Sequence, residues 1–273
     1  MRQWAFLLGL AANNDVAEGR IDDAMAKWRC ILQMGHHLRQ RPTLLDFIVA
    51  GGIQNIGLKR LIRFAAAEEP TEVDLKKMEA MPLPIADAWA ENLGDIRAAE
   101  DLPTQKMTEQ WSPADRIKYR FYAYRFNKAT GGLLDPSASE DKAAQSHFRT
   151  MALARGLRII IALKRHHTKT GHWPEDLNEI AASLPEPILT DPLNKGPFVY
   201  RRRSGAFELY STGRNETDEH GRDQFEDGDD WPIWIPPAPT PPSNDAKDAI
   251  TNELKAIYGD RYITLEQRDA NIP

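Results

Sequence analysis

Apolar residues recur at helical spacing through most of the chain and at strand spacing only around residues 196–211. Residues 4–135 read as helices, beginning with "WAFLLGLAANNDVAEGRIDDAMAKWRCILQMGHHLRQ": one helix, a turn at Glu18-Gly19 and a second helix. In the second, Ile21, Ala24, Trp28, Ile31 and Leu32 fall at steps of three and four, the stripe a helix turns toward a core. Pro42-Thr43 opens "LLDFIVAGGIQNIGLKRLIRFAAAE", with Leu44, Phe47, Ile48, Ile53, Ile56, Leu58 and Leu61 mostly on one side. The glycines at 51, 52 and 57 imply close helix packing. "VDLKKMEAM" and "IADAWAENLGDIRAAEDL" add shorter helices. In "DRIKYRFYAYRFNKAT" the aromatic residues are expected to cover a core, with Arg116, Lys118 and Arg125 solvated.

The segment "GGLLDPSASEDK" at 131–142 marks a boundary, because glycines, proline and serines followed by acids start a helix. A long helix is predicted from Glu140 to about Thr170. The period then shortens: "GPFVYRRRSGAFELYS" reads as two strands about a Ser204-Gly205 turn. "WIPPAPTPPSND" is a stiff proline-rich spacer, and "AKDAITNELKAIYGDRY" a last amphipathic helix. As a ligand for a partner domain, that proline segment is a weaker reading than a spacer. The expected division is an α-helical domain over 1–135, an α+β domain over 136–236, and a linker with a helix over 237–273.

Composition narrows the function classes. The 273-residue chain carries a net charge of −5, so no global basic field points to nucleic acid. A single cysteine, Cys30, excludes an internal disulfide framework and is expected to be a buried structural thiol. No apolar run approaches the roughly 20 residues of a membrane helix, so no transmembrane segment is expected in this chain. "MRQWAFLLGLAANND" faintly resembles a signal peptide, yet Arg20, Asp22 and Asp23 continue it as an amphipathic helix pair. An anchor or export signal upstream of Met1 stays an open expectation.

Candidate chemistry concentrates in "LYSTGRNETDEHGRDQFEDGDDWPIW", residues 209–234. Between Asn215 and Asp230 stand Glu216, Asp218, Glu219, Asp223, Glu226, Asp227, Asp229 and Asp230, opposed by Arg222. Carboxylates folded together repel at roughly 1–4 kcal/mol per close pair. A hard divalent cation removes that repulsion, and calcium accepts carboxylate, amide and backbone carbonyl oxygens. Glycines 213, 221 and 228 let the backbone turn its carbonyls inward. The spacing is not that of an EF-hand, and an acidic loop that holds no ion is the competing reading.

Other residues carry less. The histidines His36, His37, His147, His166, His167, His172 and His220 form no H-E-x-x-H, and neighbours on a helix diverge by about 100°. His220 would not be chosen by an oxygen-preferring ion. No G-x-S-x-G, phosphate loop or dinucleotide fingerprint occurs, so the chain is expected not to be an enzyme. Asp229 and Asp230 as an acid/base pair are better explained by an ion.

"AEGRIDDAMAKW" is similar to the turn and second helix of a tetratricopeptide repeat, without a 34-residue period downstream. The second half resembles the periplasmic domain of type II secretion major pseudopilins. The matching order is "IIIALKRHHTKTG", "GHWPEDLNEI", "TDPLNKGPFVYRRR", "FELYSTGRNE" and "EDGDDWPIW", spanning about residues 145–235. The combination of a preceding helical region with such a domain resembles large proteins of planctomycete-type bacteria. The resemblance implies a long helix packed on a small antiparallel sheet, the whole chain being α+β. It further implies a structural calcium ion held by the Thr212 carbonyl, Asn215, and Asp227, Asp229 or Asp230, with Asp223 and Asp218 as additions. Asn215 stands where the family has aspartate, and the extra "ETDEHGRDQF" leaves the register near Asp223 open. The apolar run "IIIAL" is too short to span a membrane, which argues against filament assembly through it.

The expected function is a non-catalytic, cell-envelope-associated interaction protein, periplasmic or envelope-bound, with a calcium-stabilised domain and an unidentified protein partner. A cytoplasmic setting stays open. The alternatives are a helical peptide-binding scaffold without a metal and an enzyme of unknown chemistry.

Overall fold

A computed structural model of the chain describes residues 1–40, 43–67, 70–84, 89–91, 93–95, 112, 114, 136–203, 205–223 and 228–237. Met1–Pro236 form one compact unit, and Pro237–Pro273 a second that lies almost wholly outside the described residues. The architecture is α+β: mostly helical, with a small antiparallel sheet of three strands in the order β1-β2-β3.

The chain opens with α1 (Arg2–Ala17) and α2 (Ile21–Arg39) as a hairpin. Gly19 turns the corner at φ +73°, a left-handed backbone that suits glycine. Asp15, nearly buried, fastens it by accepting from Arg20 at 2.6 Å and from Lys27. Those hydrogen bonds, Lys27 first, hold its carboxyl below the usual range. The predicted stripe is observed: Ala24, Trp28, Ile31 and Leu32 are buried, while Ile21 packs at the edge of the core. Turning Trp28 and Ile31 inward puts Cys30 outward, so the cysteine is exposed and the expectation of a buried thiol is corrected.

Helix α3 (Leu44–Ala67) lies on α2 and α1. A Cβ at Gly57 would stand 3.2 Å from Ile31, and one at Gly51 would stand 2.7 Å from the Ser146 hydroxyl, so both glycines serve close packing. Gly52 faces open space instead. Helix α4 (Glu72–Glu79) starts with a capping box, Thr71 Oγ1 accepting from the Asp74 amide and Asp74 accepting from the Thr71 amide. The aromatic segment 115–130, the proline spacer beyond Pro237 and the last helix fall outside the described residues.

The centre is α5 (Pro136–Thr170), which begins at Pro136 rather than Glu140, a first-turn position where proline's missing N–H costs nothing. From Thr150 to Lys164 every residue except Arg158 is buried. A helix apolar on all sides is one covered on all sides, here by α3, α4 and the sheet. The run Ile159–Leu163 is therefore interior. Among the described residues no helix is long and apolar enough to cross a membrane.

After α5 comes the turn "GHWP" and the one-turn helix α6 (Asn178–Ala181). Trp173 donates from its indole to Gly205 O at 3.2 Å and stacks on His167 at 4.3 Å. Strands β1 (Val199–Arg203) and β2 (Ala206–Ser211) pair antiparallel, Val199 opposite Tyr210, around Gly205. β3 (Trp231–Trp234) adds to β2 with Ser211 opposite Trp231. The β2–β3 connection is the acidic loop.

Candidate metal loop

Strand β2 delivers the chain into the loop through Tyr210 and Ser211, both fully buried. Ser211 Oγ accepts from the Gly213 amide at 3.0 Å, which bends the chain immediately after the strand. Gly213 has φ +65°, and a Cβ there would meet the Asp229 carbonyl at 2.2 Å. The two ends of the loop therefore touch, as a closed loop requires. A second tie runs to the turn before β1, where Asn194 donates to Thr212 Oγ1 at 2.8 Å.

The loop's acids divide by partner. Asp229 Oδ2 accepts the amides of Arg214 at 2.8 Å and Asn215 at 3.2 Å, so this carboxylate caps a backbone turn. Asn215 is engaged at both ends, accepting from the Thr217 amide at 2.7 Å and donating to Glu219 Oε1 at 2.7 Å. Glu219 Oε2 accepts the Asp229 amide at 3.0 Å. Those hydrogen bonds, Asp229 first, hold Glu219 below its ordinary pKa. Asp218 takes the Tyr210 hydroxyl at 2.8 Å and pairs with Arg201. The backbone carbonyl of Asp223 accepts from the Gly228 amide at 2.9 Å.

Asp230 differs from the rest. Its residue is 1% exposed, Oδ2 accepts the Gly221 amide at 2.6 Å, and Oδ1 has no hydrogen-bond partner. Burial raises its pKa to about 6, with the neighbouring Glu219 and Asp218 charges acting in the same direction. Of the Glu219–Asp230 pair, Asp230 is the member that keeps a proton longer.

The expected ligands thus come together in part. Asp229 accepts the amides of Arg214 and Asn215 in the loop's first turn, whereas Asp230 reaches Gly221; Asp223 opposes the lowered pKa of Lys59 and Arg149; Asp227 lies outside the described residues. Among the described residues no group of three His, Cys, Asp or Glu side chains converges as a metal would need. The donor chemistry nonetheless suits calcium: every group is an oxygen, and a buried carboxylate oxygen without a partner stands beside a second carboxylate. Glu219 was not singled out by sequence, because nothing in its spacing distinguishes it from its acidic neighbours.

Nor does the sequence indicate what faces the loop from outside. Lys59 of α3 and Arg149 of α5 both lie over the ring of Trp231, with Nζ 5.1 Å and Cζ 4.6 Å from its centroid. Loss of hydration lowers the pKa of each, while Asp223 opposes the shift in both and Asp229 in Arg149.

Compared with known proteins, the chain matches no protein-family model, no curated protein and no solved structure.

Proposed function

We propose that this chain is a non-catalytic interaction protein associated with the cell envelope, whose α5-and-sheet half is pseudopilin-like and is closed by a structural calcium ion. The observation that carries the calcium reading is Asp230: a carboxylate 1% exposed, with one oxygen unpartnered, held against Glu219. Burying a charge without a partner costs stability, and a divalent ion relieves both burial and repulsion at once. Glu219 and Asp230 would supply charge, and backbone carbonyls of the loop would complete an oxygen shell. Bound calcium would act by holding β3 against β2, so that its binding energy becomes folding energy. The interior position of Ile159–Leu163 removes filament assembly through that run from the proposal.

Thermal unfolding of the full chain in millimolar calcium and in chelator tests the reading. The melting temperature should rise by several degrees with calcium, and Asp230→Asn and Glu219→Gln should each abolish the rise. Equal melting temperatures in the wild-type protein would remove the ion. A second reading, a helical scaffold that binds a peptide without a metal, is favoured by the outer face of α1, where Trp4, Leu7 and Leu10 are exposed.

A further inference from the structure

We infer that Lys59 and Arg149 are the acidic loop's resident counter-charges and that they set its affinity for a divalent cation by competing with it. The inference rests on the calcium reading and adds to it residues from outside the loop.

The geometry places the two cations where this competition can occur. They come from different helices, α3 and α5, and converge on Trp231, the residue that follows Asp229 and Asp230. Among the described residues their only partner contact is that ring; neither makes a hydrogen bond or an ion pair. Arg149 is half-buried over the aromatic face, so its field is less screened than that of a freely solvated side chain, while Lys59 is exposed and adds a second positive charge beside it. The nearby charge is that of Asp223 for both cations, and of Asp229 for Arg149.

Two consequences follow from Coulomb's law. Without a metal, the helices supply positive charge that lets the acidic loop lie against them. With a metal, the same two charges repel the arriving ion and share the carboxylates that attract it. Neutralising either cation should therefore have opposite effects on the two states, weakening the metal-free fold and tightening the bound ion. A purely structural role predicts something else: a loosened loop, and hence weaker calcium binding.

The measurement is a calorimetric calcium titration of the full chain, comparing wild type with Lys59→Met, Arg149→Met and the double variant. Methionine keeps length and apolar contact with Trp231 while removing the charge. Lys59→Arg is the charge-retaining control, and Lys59 is exposed, so the fold tolerates change there. Each neutralisation should tighten calcium binding about three- to tenfold at low salt. The gain should shrink at about 0.5 M salt, and the control should match wild type. The metal-free variants should also melt below metal-free wild type. Unchanged or weakened binding in both single variants overturns the inference while leaving the ion in place. A wild-type protein that takes up no calcium overturns the parent reading, and this inference with it.

Discussion

Ile233 of β3 sits in the space that a side chain at Gly156 of α5 would occupy: a Cβ at 156 would lie 2.5 Å from Ile233 Cγ2 and 2.8 Å from Cδ1. The last strand of the sheet is docked on the central helix through this missing methyl group. Glycine inside a helix sacrifices about 1 kcal/mol of propensity, and the contact it permits is what makes the exchange stable.

Gly156→Ala should therefore destabilise the protein despite its better helix propensity. Ile233 is β-branched and buried, so it cannot rotate away, and overpacking costs about 1–3 kcal/mol. Ile233→Ala should restore part of the loss when combined with Gly156→Ala, although each change alone is harmful. A double-mutant cycle from urea unfolding reads the coupling, and strict additivity would contradict the docking contact.

Asp230 makes the metal-free protein less stable as pH rises. Its folded pKa is raised to about 6, above the ordinary carboxylate value of 3.8. Below about 4 both states hold the proton and nothing is lost; between 4 and 6 the unfolded chain releases it first, so stability falls across that window. The loss is on the order of 3 kcal/mol and persists at neutral pH. Metal-free Asp230→Asn should accordingly melt above wild type at pH 7 and match it near pH 3.5. Glu219 is shifted the opposite way and interacts with Asp230, so Glu219→Gln melted in parallel separates the two contributions. Thermal melts at half-unit pH steps in chelator check the sign.

Arg165 of α5 forks between two carboxylates of α4, with Nη2 2.8 Å from Glu72 and Nη1 2.6 Å from Glu79. These hydrogen bonds, Glu79 first, raise its pKa. The pairs are partly solvated, so Arg165→Ala should cost only about 1 kcal/mol. The effect should be local: amide exchange should quicken in Glu72–Glu79 and stay unchanged in α2. Uniform quickening would mean that α4 is tied to the global transition.

Arg39 is a half-buried guanidinium that donates to His147 Nδ1 at 2.8 Å and to Gln54 Oε1 at 2.9 Å, above the ring of Phe47. Desolvation pulls its pKa down to about 10, and it remains charged at neutral pH. A donor facing Nδ1 selects the neutral imidazole protonated on Nε2. Arg39→Met would leave two buried acceptors without a donor and should cost about 1–3 kcal/mol. The denaturation midpoint should fall with an unchanged slope in urea.

The hairpin and strands were legible because their information is local. Gly19 and the spacing of Ala24, Trp28 and Ile31 specify α1–α2, and Gly205 between two β-rich runs specifies β1–β2. Cys30 was misjudged from residue type, although the stripe itself already placed it on the far face. The loop was legible as a concentration of carboxylates but not as a division of labour. Whether Asp229 caps a turn while Asp230 is buried depends on the fold of the intervening residues, not on their spacing. Lys59 and Arg149 were invisible for a different reason: they reach Trp231 from separate helices, and no pattern along the chain joins them.

The interior course of α5 has a practical corollary for handling the protein. Since its middle turns contact α3 on one side and the sheet on the other, dividing the gene between residues 135 and 136 would strip the inner surface from both pieces. Each fragment would present the other's missing core to solvent and aggregate, whereas Met1–Pro236 produced intact would melt in one cooperative step.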